Sequence, residues 1–192
     1  MIPRLDRRPL LLVLAGPNGA GKSTFYQSHL ASAGLRFVNA DVLAREINLD
    51  PYVAASVAAV LRQQLLDRRE SFVFETVFSD PVGDKLRFLK LAASGGYTVI
   101  LCFIGISGPA VSEVRVTMRV SQGGHDVPSE KLLARFPRTL ANLRLAIREL
   151  PNVLIFDNGD LRRPFRQVAV FEDGRQVSSS KPVPAWLKLV LS

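Results

Sequence analysis

Apolar residues in this chain gather in short unbroken runs separated by amphipathic stretches. Leu10-Leu11-Leu12-Val13-Leu14-Ala15, Leu35-Arg36-Phe37-Val38-Asn39, Ser71-Phe72-Val73-Phe74-Glu75-Thr76, Tyr97 to Ile104 and Asn152-Val153-Leu154-Ile155-Phe156 read as buried strands. Tyr97 to Ile104 is the most hydrophobic and is expected at the centre of the sheet. Helices are predicted between these runs: Ser23 to Leu30, Val42 to Ile47, Asp50-Pro51 to Arg69, Asp80-Pro81 to Ser94, about Ala110 to Gln122, and Ser129 to Leu150 with a disturbance near Pro137. The Asp-Pro pairs place a cap before a proline at the first helical position. Gly34 and Gly95-Gly96 read as helix stops. Gln167 to Phe171 and Arg175 to Ser178, joined by Glu172-Asp173-Gly174, read as a β-hairpin. Pro184 to Leu191 reads as an apolar tail with Trp186 packed on the body.

Strands alternating with helices predict an α/β fold with a mainly parallel sheet covered by helices on both faces. The chain is read as a single domain, 1–192, with a helical lid over about 110–140 and the hairpin and tail over about 160–192. The sheet's carboxyl edge is then where a ligand is expected.

The residues joining the first strand to the first helix decide which ligand. Gly16-Pro17-Asn18-Gly19-Ala20-Gly21-Lys22-Ser23-Thr24 matches the P-loop pattern at every defined position, in the required order of strand, glycine-rich loop and helix. Glycines let successive backbone N–H groups point at phosphate oxygens, and the helix that follows adds its own unpaired N–H groups. Lys22 is placed to meet the outer phosphates of ATP, and the Ser23 hydroxyl to ligate Mg²⁺.

Composition narrows the partners. The formal net charge is +8, with 47% hydrophobic and 22% charged residues. The basic residues are spread along the chain and no aromatic-basic repeats accompany them, so phosphate ligands are favoured over nucleic acid. Cys102 is the sole cysteine and lies in an apolar run, so it reads as a core residue in a reducing compartment. Arg7-Arg8 before an apolar run imitates an export signal, but the run is short, lacks a cleavage pattern and leads into the P-loop. A cytoplasmic chain with no membrane partner is expected.

A P-loop alone does not choose between motor, switch, transporter ATPase and kinase. Ser121-Gln122-Gly123-Gly124-His125 faintly suggests a transporter signature, but no apolar run ending in Asp-Glu follows. GTPase base-reading motifs of the N-K-x-D type are absent. A compact kinase remains. Asp41, after the second strand, is the candidate proton acceptor for a substrate hydroxyl, or else a helix cap. Glu75, at the end of the third strand, is the second carboxylate, for the metal's water or substrate hydroxyls. Arg115 and Arg119 share one helix face, while Arg119 and Arg135 would face each other across Gly123-Gly124 as a phosphate-covering pair. Asp157-Asn158 would lie near the nucleotide base.

The P-loop, Val38-Asn39-Ala40-Asp41, Phe74-Glu75-Thr76 and Arg119…Gly123-Gly124-His125-Asp126-Val127-Pro128…Arg135-Phe136 together resemble the zeta toxin family, over roughly Leu10 to Asn158. That resemblance implies a P-loop kinase fold and transfer from ATP, with Mg²⁺, to the 3′-hydroxyl of UDP-N-acetylglucosamine or a related metabolite. It implies that Lys22 and Ser23 hold phosphate and metal and that Asp41 is the base. Glu75 would lie near the acceptor, and Arg119 and Arg135 would clamp phosphates. It also leaves room for a separate antitoxin partner. Two readings compete: a kinase acting on nucleic-acid ends, and a non-catalytic ATP-binding regulatory module.

Overall fold

The computed structural model describes residues 6–121 and 127–192. The expected Gly123-Gly124 turn and His125 lie outside the described residues. Five parallel strands come first: β1 (Leu10–Ala15), β2 (Arg36–Val38), β3 (Phe72–Thr76), β4 (Thr98–Gly105) and β5 (Asn152–Asp157). β6 (Arg166–Glu172) and β7 (Arg175–Ser179) add to the edge of β5 as antiparallel strands. The order is β2-β3-β1-β4-β5-β6-β7, so the predicted hairpin is not an appendage but the sheet's far edge. β4 lies at the centre, as its hydrophobicity requires, and Val99 to Gly105 is wholly buried.

Alternating side chains on β1 feed two cores. Leu11, Val13 and Ala15 face α3 (Pro51–Asp67), α4 (Asp84–Ser94), the carboxyl half of α6 (Ser129–Glu149) and α7 (Ala185–Leu191). Leu10, Leu12 and Leu14 face α1 (Lys22–Phe25) and α5 (Pro109–Ser121). Each fully buried Leu contributes roughly 1.5–3 kcal/mol, so the strand that launches the loop is a fixed platform. α6 serves both cores, with Phe136 in one and Leu143, Ala146 and Ile147 in the other. Pro137 sits inside it without ending it. Trp186 packs on the body as expected, 3% exposed.

Local differences from the sequence reading have local causes. α1 begins at Lys22 and passes into a π-helical turn at Tyr26–Leu30 and a 3-10 turn at Ala31–Ala33 before Gly34 stops it. α4 begins at Asp84, not at Pro81: Gly83 takes a left-handed conformation at the cap, and the Asp84 N–H donates to Asp80 Oδ1 at 2.6 Å. α2 (Ala40–Glu46) begins two residues before the predicted start at Val42, because Asn39 caps it.

Candidate active site

The loop between β1 and α1 is held from outside. Gly16 has φ 145°, and a Cβ there would stand 2.1 Å from the Ile104 carbonyl oxygen of β4, so only glycine fits. Gly21, at φ 87°, would drive a Cβ to 2.7 Å from Asn158 Nδ2. Three side chains then take up consecutive loop carbonyls. Ser112 Oγ donates to Asn18 O (2.6 Å), Arg115 Nη1 to Gly19 O (3.4 Å) and Asn158 Nδ2 to Ala20 O (2.9 Å). With those carbonyls held outward, the loop's N–H groups are left to meet a ligand. The sequence reading missed Ser112 and Asn158 as braces. Arg115, grouped with Arg119 by helical spacing, is spent on the loop. Asp157-Asn158, expected beside the base, is used by the protein itself: Asp157 accepts from Trp186 Nε1 at 2.8 Å and pairs with Arg166 at 3.9 Å.

Inside the loop, polar groups converge on Glu75. Its Oε2 accepts from Ser23 Oγ and from Asn39 Nδ2, each at 2.8 Å. Its Oε1 lies 3.7 Å from Lys22 Nζ, which also donates to Pro17 O at 3.0 Å. Strand order explains the convergence: β3 lies beside β1, and Glu75 pairs in register with Leu14 just before the loop. Burial pushes the Lys22 ammonium below its ordinary value, the Glu75 and Asp41 carboxylates oppose that, and the Arg119 charge adds to it. Asp41 and Arg119 are therefore electrostatic neighbours of the loop lysine.

Asp41, expected at the carboxyl end of the second strand, is in the first turn of α2, three residues past the end of β2. It is not the cap. Asn39 is, accepting from the N–H groups of Asp41 (2.8 Å) and Val42 (3.3 Å) while its amide holds Glu75. One buried Asn thus sets both candidate carboxylates, and its only sequence signal was its place before Ala40-Asp41. Arg119 lies on α5 and Arg135 on α6, and the two helices pack together. Among the described residues no hydrogen bond or ion pair joins the Arg135 side chain to the loop.

The side chains around Glu75 suit ATP and Mg²⁺. A serine hydroxyl and a carboxylate 2.8 Å apart, beside a buried lysine, are hard oxygen ligands of the kind Mg²⁺ takes together with phosphate oxygens. Among the described residues no group of three or more His, Cys, Asp or Glu is gathered as a metal cage. Asn18 Oδ1 is sealed in the loop without a partner.

A family model described as AAA domain, designated AAA_33, matches residues 11–146. The chain belongs to this AAA domain family. No curated protein matches it. Solved structures share the fold of this AAA domain at low identity. The AvrRxo1-ORF1:AvrRxo1-ORF2 complex with ATP matches at TM-score 0.68 and 19% identity, over 95% of this chain and 62% of that one. A chain of the PezAT chromosomal toxin-antitoxin system of Streptococcus pneumoniae matches at TM-score 0.61 and 18% identity, over 96% and 77%. A putative kinase from Chloroflexus aurantiacus matches at TM-score 0.54 and 19% identity, over 82% and 92%. The chain spans less than two thirds of the length of the AvrRxo1 chains it matches. The zeta-toxin resemblance is borne out at the level of fold: this is a P-loop kinase fold with a mostly parallel sheet. No helix among the described residues is long and apolar enough to cross a membrane.

Proposed function

We propose that the chain is an ATP-dependent phosphotransferase that moves the γ-phosphate of ATP to a hydroxyl of a small-molecule acceptor, UDP-N-acetylglucosamine or a related metabolite. The observation that carries this is the contact of Glu75 with Ser23 at 2.8 Å and Lys22 at 3.7 Å, with Asp41 near enough to act on the Lys22 charge. Gly16, Pro17, Asn18, Gly19, Ala20, Gly21 and Thr24 form and flank the cradle, and Lys22 meets the outer phosphates. Ser23 would hold Mg²⁺, with Glu75 fixing a water of its shell; the ion supplies neutralisation of the phosphate charge. Asp41 accepts the proton of the attacking hydroxyl, and Asn39 fixes the peptide that carries it. Arg119 faces the transferring group from α5, and Arg135 joins it from α6 when the cover closes. The likeness to the AvrRxo1 complex with ATP supports ATP as co-substrate, and that to the PezAT toxin-antitoxin system supports an antitoxin as separate partner.

The test is incubation with γ-labelled ATP, Mg²⁺, UDP-N-acetylglucosamine and a cell metabolite extract, with products identified by mass spectrometry. Acceptor-dependent ADP formation and one labelled product are expected. ATP hydrolysis that needs no acceptor and is unchanged by Asp41→Asn would overturn the assignment and favour the regulatory-module reading.

A further inference from the structure

Away from the loop, one charged side chain is buried with no partner of opposite charge. Arg62 lies on α3 and is 9% exposed. Its guanidinium carbon stands 5.0 Å from the centre of the Phe74 ring, so one face of the cation rests on β3. Among the described residues its N–H donors meet no acceptor and no carboxylate pairs with it. A cation held so far from water without an acceptor in the fold is unfavourable, and an anion from outside the chain would relieve that cost. The donors are not shut in. The wholly sealed side-chain atoms without a partner, among the described residues, are Asn18 Oδ1 and Asp80 Oδ2. The Arg62 head therefore opens to solvent.

A second cation shares this neighbourhood: the Phe74 ring that carries Arg62 also meets Phe88 of α4 edge-on at 5.9 Å, one helical turn from Lys85. Lys85, in the first turn of α4, is half-buried and also lacks an ion pair among the described residues. Burial pulls its ammonium below the ordinary value and the Arg62 charge pulls it further, against the Asp80 and Asp84 carboxylates. Asp84 is paired with Arg87. Asp80 stays beside the cations, its Oδ1 engaged by the Asp84 N–H. Lys85 thus has one cation, Arg62, and one carboxylate outside an ion pair, Asp80, among its charged neighbours.

The place is the carboxyl edge of the sheet, on the strand that carries Glu75. Phe74 pairs in register with Val13 and Val38, one residue before Glu75, so Arg62 stands near the carboxyl edge of the sheet. It lies on the opposite face of β3 from Glu75, because successive strand residues alternate. The segment leaving β3 there is fixed by Asn142, whose amide donates to Phe78 O (2.9 Å) and Asp80 O (3.0 Å).

We propose that Arg62 and Lys85 form a binding subsite for an oxyanion, a phosphate or carboxylate group carried by the acceptor. The planar guanidinium presents paired donors that match two oxygens of such a group, and the ammonium adds a point charge. That the anion belongs to the acceptor rests on the phosphotransferase reading, whereas the anion site itself does not.

Thermal melting of the full chain tests the site without turnover. The probes are inorganic phosphate, glucose 1-phosphate and succinate, each titrated in the presence of saturating AMP-PNP and Mg²⁺, and again in Lys22→Met, where the loop is disabled. A saturable rise in Tm with at least one probe is expected in both. A response to glucose 1-phosphate marks a phosphate group on a larger molecule, one to inorganic phosphate alone marks the free ion, and one to succinate marks a carboxylate. Arg62→Met and Lys85→Met should each weaken that response about tenfold or more. Without probe, Arg62→Met should melt at or above the wild-type temperature, since methionine keeps the packing on Phe74 and removes the unpaired charge. No response to any probe, or one that survives both substitutions, overturns the site. If Arg62→Met melts lower, Lys85→Met decides: loss of the response upholds the site, and retention overturns it. A chain that binds the probe through Arg62 yet transfers no phosphate loses the phosphotransferase reading and keeps the site.

Discussion

The two sides of the sheet's carboxyl edge are finished to different degrees. On the nucleotide side, apart from Asn18 Oδ1, the groups that shape the loop have partners inside the protein. Lys22 and Ser23 meet Glu75, Glu75 meets Asn39, and three loop carbonyls are taken by Ser112, Arg115 and Asn158. Across β3 from that network, Arg62 is buried without an anion, and its charge acts on Lys85. The physics of burial makes this difference informative. A satisfied network is rigid and pre-formed, while an unsatisfied buried cation is stable only because the rest of the fold carries its cost. Under the proposals above, the satisfied half is the donor half and the half that holds Arg62 is the acceptor half.

The sharpest way to break the contrast is to remove chemistry while leaving the network whole. Asp41 is in the first turn of α2 but does not cap it, so Asp41→Asn preserves the Asn39 hydrogen bonds. Transfer to the acceptor should fall roughly 10²- to 10⁴-fold, the range for loss of a general base. ATP affinity, read by equilibrium titration, should change little. A parallel loss of ATP binding would mean that Asp41 serves the nucleotide side.

Asn39 tests the network itself. Asn39→Asp keeps an oxygen for the Asp41 and Val42 N–H groups, and Asp caps as well as Asn. It replaces the amide donor to Glu75 with a second carboxylate. The rate of transfer should drop about tenfold to a hundredfold, equivalent to losing a hydrogen bond to a charged group. The Tm should move little, and the pH–rate profile should shift as two facing carboxylates compete for one proton. Asn39→Ser keeps the cap without the added charge and should leave the profile in place. An unchanged profile in Asn39→Asp would remove Asn39 from its positioning role.

These contacts also mark what was legible in the sequence. Leu10 to Ala15, the loop and the runs at Phe72 and Thr98 announced themselves because strand burial is written in continuous apolar residues. Glu75 was legible as a carboxylate at a strand end, and its meeting with Ser23 and Lys22 follows once β3 is beside β1. Asn158 was not legible as a brace: it lies 138 residues from Ala20, and nothing local distinguishes it. Gly83 hid the true start of α4, because a left-handed glycine can begin a helix that an upstream Asp-Pro only appears to open. Arg62 was invisible for a further reason. Its spacing from Ala54, Ala58 and Leu65 puts it on the buried stripe of α3, but that no carboxylate pairs with it is not written in the local sequence.

The brace at Asn158 separates stability from chemistry on the nucleotide side. Asn158→Ala leaves Ala20 O without its 2.9 Å donor in a buried setting and removes the acceptor of the Phe165 N–H at 3.4 Å. A loss of about 1–3 kcal/mol is expected, a fall of roughly 2–10 °C in Tm. The KM for ATP should rise because the loop loses one of its outward ties. The phosphate response tied to Arg62 should be unaffected, since Asn158 contacts only the donor half. A shift in that response would show that the halves are coupled.

The smallest effect is read at the floor of the loop. Cys102 on β4 belongs to the core that holds Leu14, Ala20 and Phe25, and burial pushes its thiol from 9.0 up to about 12. In the folded chain it stays a neutral thiol through alkaline pH, while in the unfolded chain it ionises near 9.0. Above that value the unfolded state sheds a proton that the folded state keeps, so stability falls as pH rises, by up to about 1.4 kcal/mol per unit until the folded pKa is reached. Denaturant melts of wild type and Cys102→Ala between pH 8 and 10.5 isolate this from the Lys and Tyr titrations common to both. Their difference should be flat below 9.0 and then narrow at wild type's expense. Native alkylation of Cys102 should likewise wait on opening of the core. Rapid alkylation of the folded chain, or a difference with no slope, would mean that the floor beneath the phosphate loop admits water, and the pre-formed donor half would be no better sealed than the acceptor half it is contrasted with.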